Sequence, residues 1–249
     1  MSSILLALQF FTVIPVNKNL PMEKRSITGM YSIFPWIGAG IGVITCLMFY
    51  FEWSSLMTGF SIVLLSVVFS GGLHMDGFID TSDAFFSYKD RLKRFEILED
   101  PRVGAFGVMA VVFLVIGKVI VISEVLSTES FHWIFVLLIP FFSRATLGLL
   151  FSLTNTAKTS GLAYYFKQKM NANVVIIATA CHFFIGLSIL GWMTNWMVAI
   201  TFAIVLFTFI CLFRGWVLKN FGGVTGDLLG ASVETSEVVL WLTLLLLSS

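Results

Sequence analysis

The sequence predicts an all-α, polytopic integral membrane protein with about seven transmembrane helices and a cytoplasmic active-site mouth, and three observations carry that prediction. The 249 residues are 58% hydrophobic and only 12% charged, against roughly 45–50% and 25% in an average soluble chain. Apolar runs approaching the roughly 20 residues needed to cross a bilayer recur along the chain. Lysine and arginine gather in every second connection, as they do on the cytoplasmic side of membrane proteins.

In chain order, the first element is the apolar stretch 1–16, "MSSILLALQFFTVIPV". It lacks the basic start of a cleavable signal and is too short to span, so it is expected to lie in the interface or re-enter. Spans are expected over residues 31–53, 54–71, 104–126, 130–151, 173–192, 195–213 and 234–249. The second is marginal in length, and the last is short enough to be interfacial.

The connections test this count. Lys18, Lys24 and Arg25 precede the first span, and Lys89, Arg91, Lys93, Arg94 and Arg102 lie between the second and third. Lys158, Lys167 and Lys169 follow the fourth, and Arg214 and Lys219 follow the sixth, which makes 13 of the 15 basic residues. The alternate connections hold none, so the N-terminus is expected inside. Lys118 and Arg144 fall within spans, each at a cost of roughly 2.5–3.5 kcal/mol on insertion scales. Of these, Lys118 is expected to be the deep charge. The net charge of +1 gives no sign of a nucleic-acid partner, and the partner implied throughout is the lipid bilayer. Cys46, Cys181 and Cys211 sit in apolar runs without metal-like spacing, as packed or lipid-facing thiols. No repeat or linker divides the chain, so residues 1–249 are expected to form one membrane-embedded domain.

Two acidic segments fall on the cytoplasmic face, "GGLHMDGFIDTSDAFF" (71–86) and the polar stretch 220–237, "NFGGVTGDLLGASVETSE". In a helix, Asp76, Asp80 and Asp83 stand at i, i+4 and i+7, on one face, with neighbours roughly 5–6 Å apart at Cβ. Like charges that close repel unless a cation sits between them. Oxygen-only ligands favour a hard cation, and Mg²⁺ takes one or two carboxylates, waters and substrate phosphate oxygens. The expected substrate therefore bears phosphate.

The second segment adds Gly222, Gly223, Thr225 and Gly226, where backbone N–H groups approach a phosphate closely. Its Asp227 is placed to complete the metal site. Between the two lies the amphipathic "RLKRFEILED", stopped by Pro101. Arg102 beyond it is a candidate for bidentate phosphate contact, and Arg144, about two turns from the cytoplasmic end of its span, is a second cation for an anionic ligand. His182, mid-span, is read as a packed or hydrogen-bonded histidine.

In order and spacing, "LALQFFTVIPV", "GGLHMDGFIDTSDAFF", "EILEDPRVGAFGVMAV" and "GGVTGDLLGA" resemble the landmark segments of the cobalamin synthase family, the adenosylcobinamide-GDP ribazoletransferases. The sequence departs from that pattern at Ala84, Phe85 and Phe86, where the family tends to have glycines, and at Pro101, where serine is common. The resemblance implies a multi-pass enzyme of the bacterial or archaeal cytoplasmic membrane, acting late in vitamin B12 assembly and admitting a homo-oligomer. Its implied substrates are adenosylcobinamide-GDP and α-ribazole or its 5′-phosphate, with GMP released and Mg²⁺ required. On that reading Asp76, Asp80 and Asp227 hold Mg²⁺, Arg102 and the Gly222–Gly226 backbone meet phosphate, and either Asp83 or His74 is the general base. Two other aspartate-bearing membrane enzymes fit less well. Aspartate-rich prenyltransferases carry a second Asp-rich motif, and CDP-alcohol phosphotransferases a longer D-x-x-D-G-x-x-A-R pattern. A transporter would place its carboxylates near the bilayer midplane.

Overall fold

The computed structural model describes residues 2–248, so the expected first element and last span each reach one residue outside it. Among the described residues the elements are all helical: α1 (Ser2–Phe11), α2 (Lys24–Cys46) with a 3-10 extension (Leu47–Phe51), α3 (Ser55–Phe69), α4 (Leu73–Ser87), α5 (Arg91–Leu98), α6 (Ala105–Leu126), α7 (Ile134–Leu153), α8 (Gly161–Lys169), α9 (Ala172–Met193), α10 (Trp196–Phe221) and α11 (Gly226–Ser248). Among the described residues the single extended contact is an isolated bridge between Thr156 and Val224. Six helices, α2, α6, α7, α9, α10 and α11, are long and apolar enough to cross a membrane.

The seventh expected span is a broken one. The 15-residue α3 reaches about 22 Å at 1.5 Å per residue, short of the roughly 30 Å hydrocarbon core. It is long and apolar enough to cross only together with α4, from which it is bent by 93°. Gly71 and Gly72 make the bend, with φ of +64° and +72°, a region that glycine enters without steric cost.

The bundle is organised around α7, whose apolar length is almost wholly buried, whereas α6 and α10 bury only a small part of theirs. Those two therefore turn most of their surface to lipid, Phe113 and Phe207 among it. Helix α2 lies along α7 through Gly38 and Gly42; a Cβ on Gly42 would stand 2.6 Å from Leu137 Cα. Small residues four apart allow that backbone approach in a membrane, where apolar side chains gain nothing over lipid. Helix α1 packs on α2, burying Leu6 and Ala7 completely. His182 accepts a hydrogen bond from Trp36 Nε1 at 3.0 Å, as a bonded mid-span histidine should. The three cysteines are free, with Cys181 and Cys211 exposed on apolar helices.

Two expectations are corrected. The polar stretch 220–237, expected to precede the last span as a connection, is mostly helix: α11 begins at Gly226, so the last span is longer than the expected 234–249. Nor is Lys118 the single deep charge, because Arg144, Glu234 and Glu237 are buried with it.

Candidate active site

The glycine turn sends α4 against the first turns of α11. Gly77 meets Asp227, and Gly230 meets His74, where an added Cβ would stand 3.2 Å from the His74 backbone. Glycine on both helices removes the side-chain layer that would separate them. The carboxylates of α4 and the N-terminus of α11 are thereby brought together, from positions about 150 residues apart in sequence.

The expected helix over the three aspartates is present, but they do different things. Asp76 is exposed and lines a cavity of about 420 Å³ together with His74, Thr225, Gly226 and Asp227. Asp80 is half-buried beside it, close enough to Asp76, Asp227 and Asp83 to feel their charges. Asp83 is buried and turns toward α6, accepting a hydrogen bond from the Gly107 N–H at 3.3 Å. Helix α6 has no side-chain cap of its own at Gly104, and no side chain fits there beside the Asp83 carboxylate. Asp83 thus serves as the anion at that helix N-terminus, supplied from a neighbouring helix.

In the glycine segment each residue has its own physical reason. Gly222 ends α10 in the left-handed region, φ +78°, with its N–H donating back to Val217 and Leu218. Gly223 lets the chain lie against residues 155–157: a Cβ would be 2.6 Å from Asn155 O. There Val224 N–H donates to Asn155 O and Ala157 N–H to Val224 O, both at 2.9 Å. These two glycines are occupied in shaping the chain. Gly226 faces open space at the cavity. Thr225 accepts from Leu228 N–H at 3.3 Å and donates to Asp227 at 3.2 Å, fixing the first turn of α11.

Neither expected phosphate-binding arginine reaches the cavity. Arg102 is 86% exposed and grips Asp100 through two side-chain hydrogen bonds, which hold that carboxyl down at about 2. Arg144 lies in a buried network beneath the site. Lys118 of α6 bonds Glu234 at 2.6 Å and Glu237 at 2.7 Å on α11. Arg144 of α7 donates to Glu237 and, at 2.9 Å, to Ser143. Two cations thus balance two carboxylates, the arrangement that makes ionisable groups tolerable at membrane depth.

A divalent cation suits the donor set that remains. Among the described residues no three His, Cys, Asp or Glu side chains close into a ready-made cage. Mg²⁺, however, is commonly held by one or two carboxylates, with water and substrate phosphate completing the octahedron. Asp76, Asp80 and Asp227 offer oxygen atoms only and crowd like charge together; Asp76 and Asp227 line the cavity, and Asp80 stands beside them outside its lining.

The sequence reading missed part of the cavity wall. Thr156, Lys158 and residues 160–164 line the cavity together with Phe10, Phe11, Tyr31 and Glu99. The visible signal was a polar "NTAKTSG" run (155–161) in a connection assigned to the same face as the aspartates.

Apolar helices around a carboxylate-edged cavity define a membrane-embedded enzyme. Comparison with known proteins gives its kind. A model described as cobalamin-5-phosphate synthase matches residues 3–245, and the chain belongs to that family, whose members are transferases of cobalamin synthesis. It is 35% identical to the adenosylcobinamide-GDP ribazoletransferase of Geobacillus thermodenitrificans, over 98% of this chain and 95% of that one. It is 32% identical to the Clostridium tetani protein of the same name, over 94% and 92%. No solved structure matches the chain.

Proposed function

We propose that the protein joins adenosylcobinamide-GDP to α-ribazole or α-ribazole 5′-phosphate, forming adenosylcobalamin or its 5′-phosphate and releasing GMP. The observation that carries this reading is the meeting of Asp76 with Asp227 in the lining of a cavity within the usual range for small-ligand sites, with Asp80 close beside them. The relatives' shared name supplies the substrates.

Asp76, Asp80 and Asp227 would hold Mg²⁺, which supplies charge neutralisation on the diphosphate. The first turn of α11, open at Gly226, presents backbone N–H groups and the positive end of the helix dipole to a phosphate. A ribose hydroxyl of the ribazole attacks the phosphorus on the cobinamide side; the bond to the bridging oxygen breaks, and GMP leaves with it. His74 lines the cavity, which supports it over Asp83 as the acceptor of the hydroxyl proton. Asp83 is occupied at the N-terminus of α6. Positioning and fixed charge supply most of the acceleration in such transfers.

The basic connections support placing this site and the N-terminus on the cytoplasmic side, which labelling of single introduced cysteines in intact cells and inverted vesicles tests. The deciding assay measures GMP release by isolated membranes from adenosylcobinamide-GDP, with and without α-ribazole phosphate and with Mg²⁺ removed. Asp80→Asn should abolish release while leaving the protein folded in membranes; retained turnover would sink the metal assignment.

A further inference from the structure

We propose that Lys158 receives the substrate's diphosphate, and that it does so by exchanging the Glu99 carboxylate for phosphate oxygens at the mouth of the cavity. This rests on the phosphoryl-transfer reading above and assigns a binding residue that neither the motifs nor the relatives' names supply.

Among the cavity's lining residues Lys158 is the sole lysine or arginine. The substrate's diphosphate, esterified at both ends, brings two negative charges, and the edge it must occupy already carries the carboxylates of Asp76 and Asp227 with Asp80 beside them, more than one divalent ion neutralises. A further cation is required, and the other candidates are committed elsewhere. Arg102 is outside on Asp100, and Arg144 is bound to Glu237. Arg94 bonds Tyr88 O and Asn220. Lys167 and Lys169 donate to backbone carbonyls.

Lys158 is held differently. Its Nζ lies 2.7 Å from Glu99 Oε1, with side-chain exposures of 26% for the lysine and 69% for the glutamate. The ammonium is thus sheltered while its partner stands mostly in water, where an ion pair is weak and easily displaced. The Phe95 ring, 4.8 Å from Nζ, keeps the charge at the mouth when Glu99 lets go. The stem does not wander, because Asn155 and Ala157 are bonded to Val224, three residues before Asp227. Lys158 is near enough to Asp227 to act on it electrostatically. The loop thus carries its cation into the cavity that Asp76 and Asp227 also line, where a diphosphate held through Mg²⁺ on the carboxylates meets Lys158 as well. Glu99 occupies the lysine between turnovers.

The test is equilibrium binding of GDP and of GMP, with Mg²⁺, to the full-length protein in lipid nanodiscs. Wild type, Lys158→Met, Lys158→Arg and Glu99→Gln are compared, each checked by its thermal unfolding midpoint. Lys158→Met should weaken GDP binding by about 10- to 100-fold and GMP binding by less, since the lost contact is to the diphosphate. Lys158→Arg should keep most of the affinity. Glu99→Gln should tighten GDP binding two- to tenfold by removing the competitor. Unchanged GDP affinity in Lys158→Met, or weaker binding in Glu99→Gln, would overturn the exchange while leaving the phosphoryl-transfer reading standing. Failure of wild type to bind GDP at all would remove the reading on which it rests.

Discussion

Gly77 of α4 lies so close to Asp227 of α11 that a Cβ at Gly77 would stand 2.7 Å from the Asp227 carbonyl oxygen. The obstacle is backbone on both sides, so no rotamer change relieves it. Gly77→Ala must therefore push the helices apart and separate the α4 carboxylates from Asp227. Overpacking of this kind typically costs about 1–3 kcal/mol, which leaves most of the protein folded. The Mg²⁺ concentration for half-maximal GMP release should rise at least tenfold, measured beside the unfolding midpoint in detergent. A midpoint shift with unchanged Mg²⁺ dependence would mean that this contact serves packing alone.

The network of Lys118, Arg144, Glu234 and Glu237 gives a different signature. Lys118→Met removes the cation paired with Glu234 and leaves Glu237 with Arg144 among the described residues. Breaking a buried pair from one side costs about 3–5 kcal/mol, whereas replacing both partners with apolar groups is often neutral. Lys118→Met alone should lower yield and the unfolding midpoint sharply. Adding Glu234→Leu should recover most of the loss and leave Arg144 with Glu237. Failure of the double variant to recover would show that α6 and α11 depend on these charges for more than neutrality.

At Asp83 the carboxylate faces the N–H of Gly107 inside the protein rather than the cavity. Asp83→Asn keeps the shape and removes the charge from the α6 N-terminus, at an expected cost of up to about 2 kcal/mol in a partly buried geometry. Turnover at temperatures where the variant is folded should fall less than tenfold. His74→Gln should lower kcat by about 10²–10⁴-fold, the usual worth of a general base, with a smaller effect on unfolding. The reverse pattern in single-turnover assays would return the base role to Asp83.

Much of this arrangement was legible in the sequence because its signals are local. Span count and the helix over Asp76, Asp80 and Asp83 follow from runs of apolar residues and a fixed spacing along one segment. What escaped depends on distant partners. Glu234 and Glu237 read as the polar cytoplasmic end of the last span because two carboxylates one turn apart look solvated until Lys118 and Arg144, some 90 or more residues upstream, are placed beside them. Gly223 read as a phosphate contact, yet its lack of a side chain accommodates residues 155–157, a tertiary demand with no local mark. Arg102 had the right chemistry and the right face, but Asp100, two residues away, satisfies it first. Lys158 was one basic residue among 13 in the inside connections, and only the folded loop singles it out.

The same pair at the cavity mouth makes a pH prediction whose sign is fixed. Lys158 holds the Glu99 carboxyl below the ordinary carboxylate range, mainly through its hydrogen bond. The contact is therefore complete at pH values above that range, near 4 for a free glutamate, and is lost as pH falls through the lowered value. At neutral pH Glu99 competes with a phosphate for Lys158, and Glu99→Gln removes that competition. The ratio of wild-type to Glu99→Gln dissociation constants for GDP should thus stand at two to ten at pH 7 and fall toward one in acid, as the wild-type carboxylate takes up its proton. Protonation of the α4 aspartates and Asp227 weakens both proteins alike and cancels in the ratio. Titration of GDP binding between pH 7 and the lowest pH at which both proteins stay folded measures it, and a ratio that does not decline would show that the charge of Glu99 has no hold on Lys158.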